Sequence, residues 1–346
     1  MSQVDHEDDA RQTMMKQPST LVGMGFEYRL VRCPLHISEE ASQKESTSYC
    51  LDCVTRLFHV PSETMITPSN RNDYITDGPM FDHVSCMCQE MTQARLQKEY
   101  ALKFITICND TTLGEPVRAL VDQDFDEYDD KANHQKPTLL IMAGKGKSRA
   151  GILSVNQLVI SGIEIGSALF HLHQARKRGW AVILLDPNAR GMEKGMDTVE
   201  RSLTHLFGSW TDAPLHVLAH SAAGGYLVRY LLLGPARTSL LENIRALVFT
   251  DSTHNLPWAR GDPALFRFLQ SKQCLYIRNT KVHVSDTFGN HNDRKLGEEV
   301  EGDIWWRRRF GDIRTVWAGT IEHSLMCWMA RNILWDFMDD YDSSPE

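Results

Sequence analysis

The chain has 346 residues, with 37 Lys and Arg against 45 Asp and Glu, so its formal net charge is −8. Hydrophobic residues make up 42% of it, enough for one large domain with a buried core. The acidic balance excludes nonspecific coating of nucleic acid, because that mode of binding needs many cations against phosphate.

The front of the chain is predicted to be a polar tail followed by a small extension. Residues 1–20 have no periodic apolar pattern and are predicted to be disordered. Residues 21–110 are predicted to form an N-terminal α+β extension, with a strand in the segment GFEYRLVR and a helix from about Asp82 to Ile105. The last residues, 341–346, are predicted to be a second disordered tail.

This extension contains a C-x2-H pair followed by a C-x2-C pair. Cys33 and His36 form the first pair, and Cys50 and Cys53 form the second. Two such pairs can place four ligands tetrahedrally around zinc. The alternative is a hairpin with incidental reduced thiols, since the eight cysteines are unevenly spaced. We therefore predict no cofactor, with zinc at this cluster as the open alternative.

Beyond the extension, the pattern becomes a regular alternation of strands and helices. The acidic run from Asp122 to Asp130 is predicted to be a solvated loop, because like charges at that density repel. The apolar runs that follow indicate a parallel sheet covered on both faces, with functional loops at the carboxyl ends of its strands. They are residues 138–144, 181–188, 215–221, 245–252, 273–279 and 314–319.

The third of these runs leads into a serine. Residues 215–225 read LHVLAHSAAGG, which is typical of a nucleophile elbow, where a strand ends in a tight turn that exposes the serine hydroxyl. Such a turn needs small residues two positions on either side, and Ala219 and Ala223 take the place of the usual glycines around Ser221. Residues 111–340 are therefore predicted to form an α/β-hydrolase-like domain with a doubly wound, mainly parallel sheet.

That fold presents its triad in the chain order serine, acid, histidine. Ser221 is the candidate nucleophile, and His323, in the segment AGTIEHS after the last strand, is the candidate base. Two positions remain open for the acid. Asp286, in VSDTF after the fifth apolar run, is favoured, and Asp251, at the end of RALVFTDS, is the competitor one strand earlier.

Backbone N–H groups are the predicted donors to a developing oxyanion. One belongs to Ala222, directly after the serine, and the other to Gly144 in the loop AGKGKSRAG. That loop is not a phosphate-binding P-loop, because the first glycine of the motif would fall at Ile141, inside the strand.

A short aromatic and basic segment, WWRRR at 305–309, has two interpretations. It could stack nucleic-acid bases or side chains of a partner, but an amphipathic surface element is favoured.

Taken together, these segments resemble the Argonaute-binding protein two (Arb-two) domain family, which includes the cotranscriptional regulators called family with sequence similarity 172. The resemblance implies an α/β-hydrolase-like fold. It also implies that Ser221, Asp251, the pair His254 and Asn255, and His323 occupy the family's site positions. The matching segments are GFEY at 25–28, LLIMAGKGKSRAG at 139–151, GWAVILLDPN at 179–188, LAHSAAGG at 218–225, ALVFTDSTHN at 246–255 and AGTIEHS at 318–324.

The resemblance implies a role outside catalysis. We expect a protein that acts through contacts with Argonaute-like or chromatin proteins, with indirect links to small RNA, in heterochromatin formation or cotranscriptional regulation. The alternative is an active serine hydrolase or esterase that uses the Ser-Asp-His triad. We expect no secretory signal and no membrane segment, which leaves the nucleus, the cytoplasm or both as locations.

Overall fold

The computed structural model describes residues 20–33, 53–108, 116–125, 136–208, 213–279, 295–302 and 304–342. Two sheets carry the fold. The small sheet is antiparallel, and its strands are β1 (Phe26–Val31), β2 (Val54–His59) and β3 (Thr64–Met65). The large sheet comprises β4 (Leu102–Cys108), β5 (Val117–Asp122), β6 (Thr138–Met142), β7 (Ala181–Leu185), β8 (Leu215–His220), β9 (Ile244–Thr250), β10 (Cys274–Arg278) and β11 (Arg314–Trp317).

Helices connect these strands and cover both faces of the large sheet. They are α1 (Arg71–Tyr74), α2 (Gly78–Tyr100), α3 (Val155–Ile160), α4 (Ile163–Gly166), α5 (Leu169–Lys177), α6 (Gly195–Phe207), α7 (Ala222–Leu233), α8 (Arg237–Asn243), α9 (Pro263–Leu269), α10 (Ile304–Phe310), α11 (Met326–Met329) and α12 (Arg331–Asp342). Among the described residues, none of these helices combines the length and the apolarity needed to cross a bilayer.

The strand order of the large sheet is β11-β10-β9-β8-β6-β7-β5-β4. Strands β6 to β11 run parallel, and β5 runs antiparallel to both of its neighbours. The chain leaves β6 for β7 on one side and returns to β8 on the other, so the strand order reverses at β6. A crevice at the carboxyl ends of β6 and β8 is the expected ligand site of such a sheet. This arrangement confirms the α/β-hydrolase-like fold.

The central strands form because nearly every residue in them is apolar and buried. In β6, Leu139 and Ile141 belong to the core on one face of the sheet, and Leu140 and Met142 to the core on the other face. Burial of each such side chain contributes about 1.5–3 kcal/mol to the free energy of unfolding. The two cores therefore fix which strands lie centrally, and with them the position of the elbow that follows β8.

The helix predicted in the second half of the N-terminal extension ends earlier than expected. Helix α2 begins at Gly78, capped by the Asp77 side chain, which accepts a hydrogen bond from Met80 N at 2.7 Å. It ends at Tyr100, because Ala101 takes a left-handed backbone with φ 50°. The predicted helix to Ile105 was therefore wrong at its end. Residues 102–108 form β4 and join the large sheet.

Asp122, predicted to lie in a solvated loop, is buried at the end of β5. Its carboxylate accepts hydrogen bonds from the Arg176 guanidinium and from Val182 N. The loop prediction was wrong at this residue, because an arginine and a backbone amide satisfy the buried charge.

Candidate active site

Ser221 ends β8 in a strained backbone conformation. Its φ is 56° and its ψ is −125°, a region that a residue with a side chain adopts only where its surroundings enforce it. Ser221 N donates to Thr250 O at 2.8 Å, and Thr253 N donates to Ser221 O at 3.2 Å. Both partners lie at the end of the neighbouring strand β9. The turn therefore has the geometry of a nucleophile elbow, and β9 holds it in place.

Close packing around the elbow depends on two glycines. A Cβ at position 144 would lie 2.6 Å from Ser221 Cβ and 2.9 Å from Ser221 Oγ. A Cβ at position 224 would lie 2.0 Å from Ser252 Oγ. Gly144 thus brings the loop after β6 against the serine, and Gly224 lets α7 approach the end of β9. Ala222 opens α7, where the first N–H groups lack intrahelical acceptors, so both predicted oxyanion positions border Ser221.

The loop after β6 is held by Asn188, a buried side chain that sequence reasoning missed. Its Nδ2 donates to Gly144 O and to Ser148 O, each at 2.9 Å, and its Oδ1 accepts from Gly146 N at 3.0 Å. One side chain therefore fixes three positions of the loop. The available signal was its place just after β7, at the same edge of the sheet as the serine.

His323 is hydrogen-bonded to the carboxylate of Asp251 through its Nδ1. Asp251 follows β9 with a left-handed φ of 46°, and its own N–H donates to Ile277 O at 2.9 Å. The bond leaves Nε2 of the imidazole as the nitrogen that can exchange a proton with a hydroxyl. Asp251, of the two candidate acids, is the one that the structure places against His323.

The imidazole of His323 lies beside the elbow because it stacks on His220, the residue before Ser221. The ring centroids are 4.7 Å apart with an interplanar angle of 27°. His220 is buried, and its Nδ1 shares a hydrogen bond of 3.0 Å with Thr250 Oγ1. Burial, and then the nearby His323, lower the pKa of His220 to about 4. A neutral ring therefore supports His323 at physiological pH.

The loop that carries His323 is fixed from the opposite side by Gln157. This side chain is 1% exposed, and its Nε2 donates to Glu322 Oε1 at 2.6 Å and to Ser324 Oγ at 2.8 Å. Its two acceptors flank His323 in sequence. Sequence reasoning missed Gln157 because it lies in α3, far along the chain from any motif.

The other family-implied positions lie just beyond Asp251. His254 is buried, with Nδ1 2.9 Å from Ser252 Oγ and its ring stacked on Phe249 at a centroid distance of 4.1 Å. Burial, and then the charge of Arg309, lower its pKa to about 3. Its neighbour Asn255 is half-buried. The structure therefore places His254 in a packed aromatic cluster rather than in contact with His323.

Several candidate residues lie outside the described residues: Asp286 of the triad, and His36 and Cys50 of the cysteine and histidine cluster. The remaining two members of that cluster lie next to each other, with Cys33 N donating to Cys53 Sγ at 3.4 Å. Within the described ranges, no group of three or more His, Cys, Asp or Glu side chains is arranged to hold a metal ion.

A separate cleft of about 460 Å³ lies between α2 and the loop after β6. Two ion pairs line it, Lys147 Nζ to Asp82 Oδ2 at 2.6 Å and Arg149 Nε to Asp186 Oδ2 at 2.8 Å. Lys147 and Arg149 are thus neutralised locally, and Arg118 is the third basic residue of the lining. Ser221 and His323 do not line it.

Comparison with protein-family models and with curated proteins found no match for the chain. The resemblance to the Arb-two family therefore stays a prediction.

Solved structures similar to the chain are hydrolases. A truncated carbohydrate esterase from gut microbiota is 11% identical over 70% of this chain and 97% of its own, with a TM-score of 0.35. An α/β-hydrolase from a Medee basin deep-sea metagenome library is 12% identical over 69% and 98%, with a TM-score of 0.33. An esterase of Mycobacterium marinum is 12% identical over 56% and 70%, with a TM-score of 0.31. Similarities this low do not assign an activity.

The main functional prediction, a non-catalytic role in Argonaute-linked heterochromatin formation or cotranscriptional regulation, was wrong. The chain itself holds a serine on a strained elbow beside a hydrogen-bonded histidine and aspartate, which a pure scaffold does not require. The alternative, hydrolase chemistry, is the better-supported interpretation.

Proposed function

We propose that the protein is a serine hydrolase that cleaves carboxylic esters. Ser221 is the nucleophile, His323 the general base and Asp251 the residue that orients His323. The observation that carries the proposal is the hydrogen bond between His323 and Asp251 beside the strained elbow at Ser221. A strained serine, an imidazole with Nε2 free and a carboxylate on Nδ1 are the three parts that acyl transfer through serine requires.

In the first half of the reaction, Ser221 Oγ attacks the ester carbonyl carbon, and its proton passes to His323 Nε2. The carbonyl oxygen becomes an oxyanion, which accepts hydrogen bonds from N–H groups at Ala222 and in the loop held by Asn188. The C–O bond to the alcohol then breaks, and His323 returns its proton to the departing oxygen. Asp251 stays ionised and stabilises the imidazolium.

In the second half, water attacks the carbonyl carbon of the acyl-serine. His323 takes one proton from the water and delivers it to Ser221 Oγ as the acid leaves. Because the pKa of His220 is lowered to about 4, the ring stacked on the transient imidazolium carries no charge of its own. A second cation at that distance would oppose the transfer of a proton to His323, from Ser221 in the first half of the reaction and from water in the second.

Labelling with a fluorophosphonate, combined with hydrolysis of 4-nitrophenyl butyrate, tests this proposal. We expect the wild type to be labelled and to hydrolyse the ester, and Ser221→Ala to do neither. Ser148→Ala is a matched control, because Ser148 lies on the loop after β6 and its hydroxyl has no role in the proposed reaction. Wild type that is neither labelled nor active against a panel of short acyl esters would overturn the proposal.

A further inference from the structure

Helix α10 lies over the carboxyl ends of β9 and β10 in a fixed orientation. Trp306 packs edge-on against Tyr276 with ring centroids 4.9 Å apart, and Phe310 packs against His254 at 5.0 Å. These two anchors are four positions apart and therefore share one face of the helix. Trp305 lies off that face and is exposed at the surface.

Arg309, on this helix, is connected to the elbow through one intervening residue, Thr253. Its Nη2 donates to Thr253 O at 3.3 Å, and Thr253 N donates to Ser221 O at 3.2 Å. The guanidinium is therefore held at the edge of the reaction site.

The charge of Arg309 is not neutralised by any carboxylate among the described residues. Its Nε is buried without a hydrogen-bond partner, and its cation lies over the rings of Trp305 and Phe310, 5.5 and 5.2 Å from their centroids. Nine other arginines form ion pairs with carboxylates. These are Arg29, Arg95, Arg149, Arg176, Arg178, Arg190, Arg201, Arg237 and Arg314.

A guanidinium held by aromatic rings and left without a counterion is well suited to bind a planar carboxylate. The exposed Arg307 and Arg308 on the same helix add to the positive potential at this rim, although the chain as a whole carries a net charge of −8. The local field thus favours an anionic substrate over a neutral one.

We propose that Arg309 determines specificity for esters whose acyl chain ends in a second, ionised carboxylate. This rests on the proposed function in that the ester is cleaved at Ser221. Arg309 binds the distal carboxylate, and Trp305 covers the guanidinium from the solvent side.

A binding measurement tests the anion site without relying on catalysis. The probes are N-phenylglutaramate, which carries a terminal carboxylate, and neutral N-phenylpentanamide, titrated by calorimetry into Ser221→Ala protein. We expect the anionic amide to bind about tenfold more tightly than the neutral one, because it makes one additional charge-assisted contact. Adding Arg309→Met should abolish the preference, and Arg309→Lys should restore part of it. The control Arg308→Met, which removes only a contribution to the surrounding potential, should retain most of the preference.

Hydrolysis of the matching 4-nitrophenyl esters, the glutarate half-ester and the pentanoate, gives the catalytic readout after subtraction of uncatalysed hydrolysis. We expect Arg309→Met to lower kcat/KM for the half-ester about tenfold more than it lowers kcat/KM for the pentanoate. Equal binding of the two amides, or a preference that survives Arg309→Met, would overturn the assignment. An Arg309-dependent binding preference in a protein without Ser221-dependent hydrolysis would sustain the anion site and refute the hydrolase.

Discussion

Asp251 and His323 are joined by a hydrogen bond that connects the loop after β9 to the loop after β11, across the end of the intervening strand β10. Asp251 has a left-handed φ of 46° at the point where the chain leaves β9. Asp251, which orients His323, thus follows β9, and β9 is adjacent to β8, the strand that leads into Ser221.

Asp251→Asn tests this relationship. The amide keeps the shape of the carboxylate but cannot stabilise an imidazolium, so we expect kcat to fall by roughly 10³- to 10⁴-fold with little change in KM. Steady-state hydrolysis of a 4-nitrophenyl ester measures both constants. Asp286→Asn is the matched control, expected to retain activity within about threefold. A larger loss in Asp286→Asn than in Asp251→Asn would reassign the acid.

Gly144→Ala tests the approach of the oxyanion loop to the serine. The new Cβ would lie 2.6 Å from Ser221 Cβ, so either the loop or the serine must move. We expect the rate of fluorophosphonate labelling to drop by about 100-fold or more, the loss typical of one missing oxyanion donor. Gly146→Ala, on the same loop, has nothing within 4 Å of its new Cβ and serves as control. Equal rates for the two variants would argue against an oxyanion role for this loop.

The central strands were predictable from sequence, whereas two outer strands were not, and the motifs left the acid open between Asp286 and Asp251. Runs such as that of β6 are buried at every position and apolar after Thr138, because both faces of the sheet are covered. Strand β4 directly follows a helix, with Ala101 alone between them, and β5 ends at an aspartate beside an acidic run. Neither boundary has a local signal strong enough to separate it from its neighbour.

Site residues divide in the same way. Ser221 and His323 lie in short motifs at strand ends, where the fold predicts them. The choice of Asp251 depends on its hydrogen bond to His323, a contact between residues 72 positions apart that no local sequence pattern encodes. Asn188 and Gln157 act through hydrogen bonds to loops far along the chain, so only the folded structure identifies them.

Gln157→Met tests whether the loop around His323 needs its clamp. The substitution nearly preserves volume but removes the donors to Glu322 and Ser324. Because small displacements of a catalytic group are costly, we expect kcat to fall by about 10- to 100-fold, while KM stays within twofold. Gln97→Met is the control, since Gln97 lies on α2 and bonds Gln93 O at 3.4 Å. Unchanged kcat, with an unchanged melting temperature, would show that His323 is positioned without Gln157.

The stability of the protein should fall steeply as the pH drops below about 6.5. Burial lowers the pKa of His216 and His220 to about 4, and that of His171 and His254 to about 3. In the unfolded chain these rings titrate near their ordinary pKa of about 6.5 and therefore bind protons that the folded chain excludes. The contribution of these histidines to the free energy of unfolding is fully present above pH 6.5 and is lost as the pH falls toward 4. The loss is about 2 kcal/mol per histidine between pH 7 and pH 5.

His216→Phe isolates one of these contributions. The His216 ring stacks on Trp180 at a centroid distance of 4.0 Å, and both of its nitrogens are buried without hydrogen-bond partners. A phenyl ring can occupy the same space without a proton to exclude, so we expect stability at pH 7 to be unchanged or higher. The loss between pH 7 and pH 5, measured by urea unfolding, should be smaller by about 2 kcal/mol than in the wild type. An identical pH dependence in the two proteins would mean that His216 is protonated as readily in the folded chain as in the unfolded one, and that solvent reaches its ring.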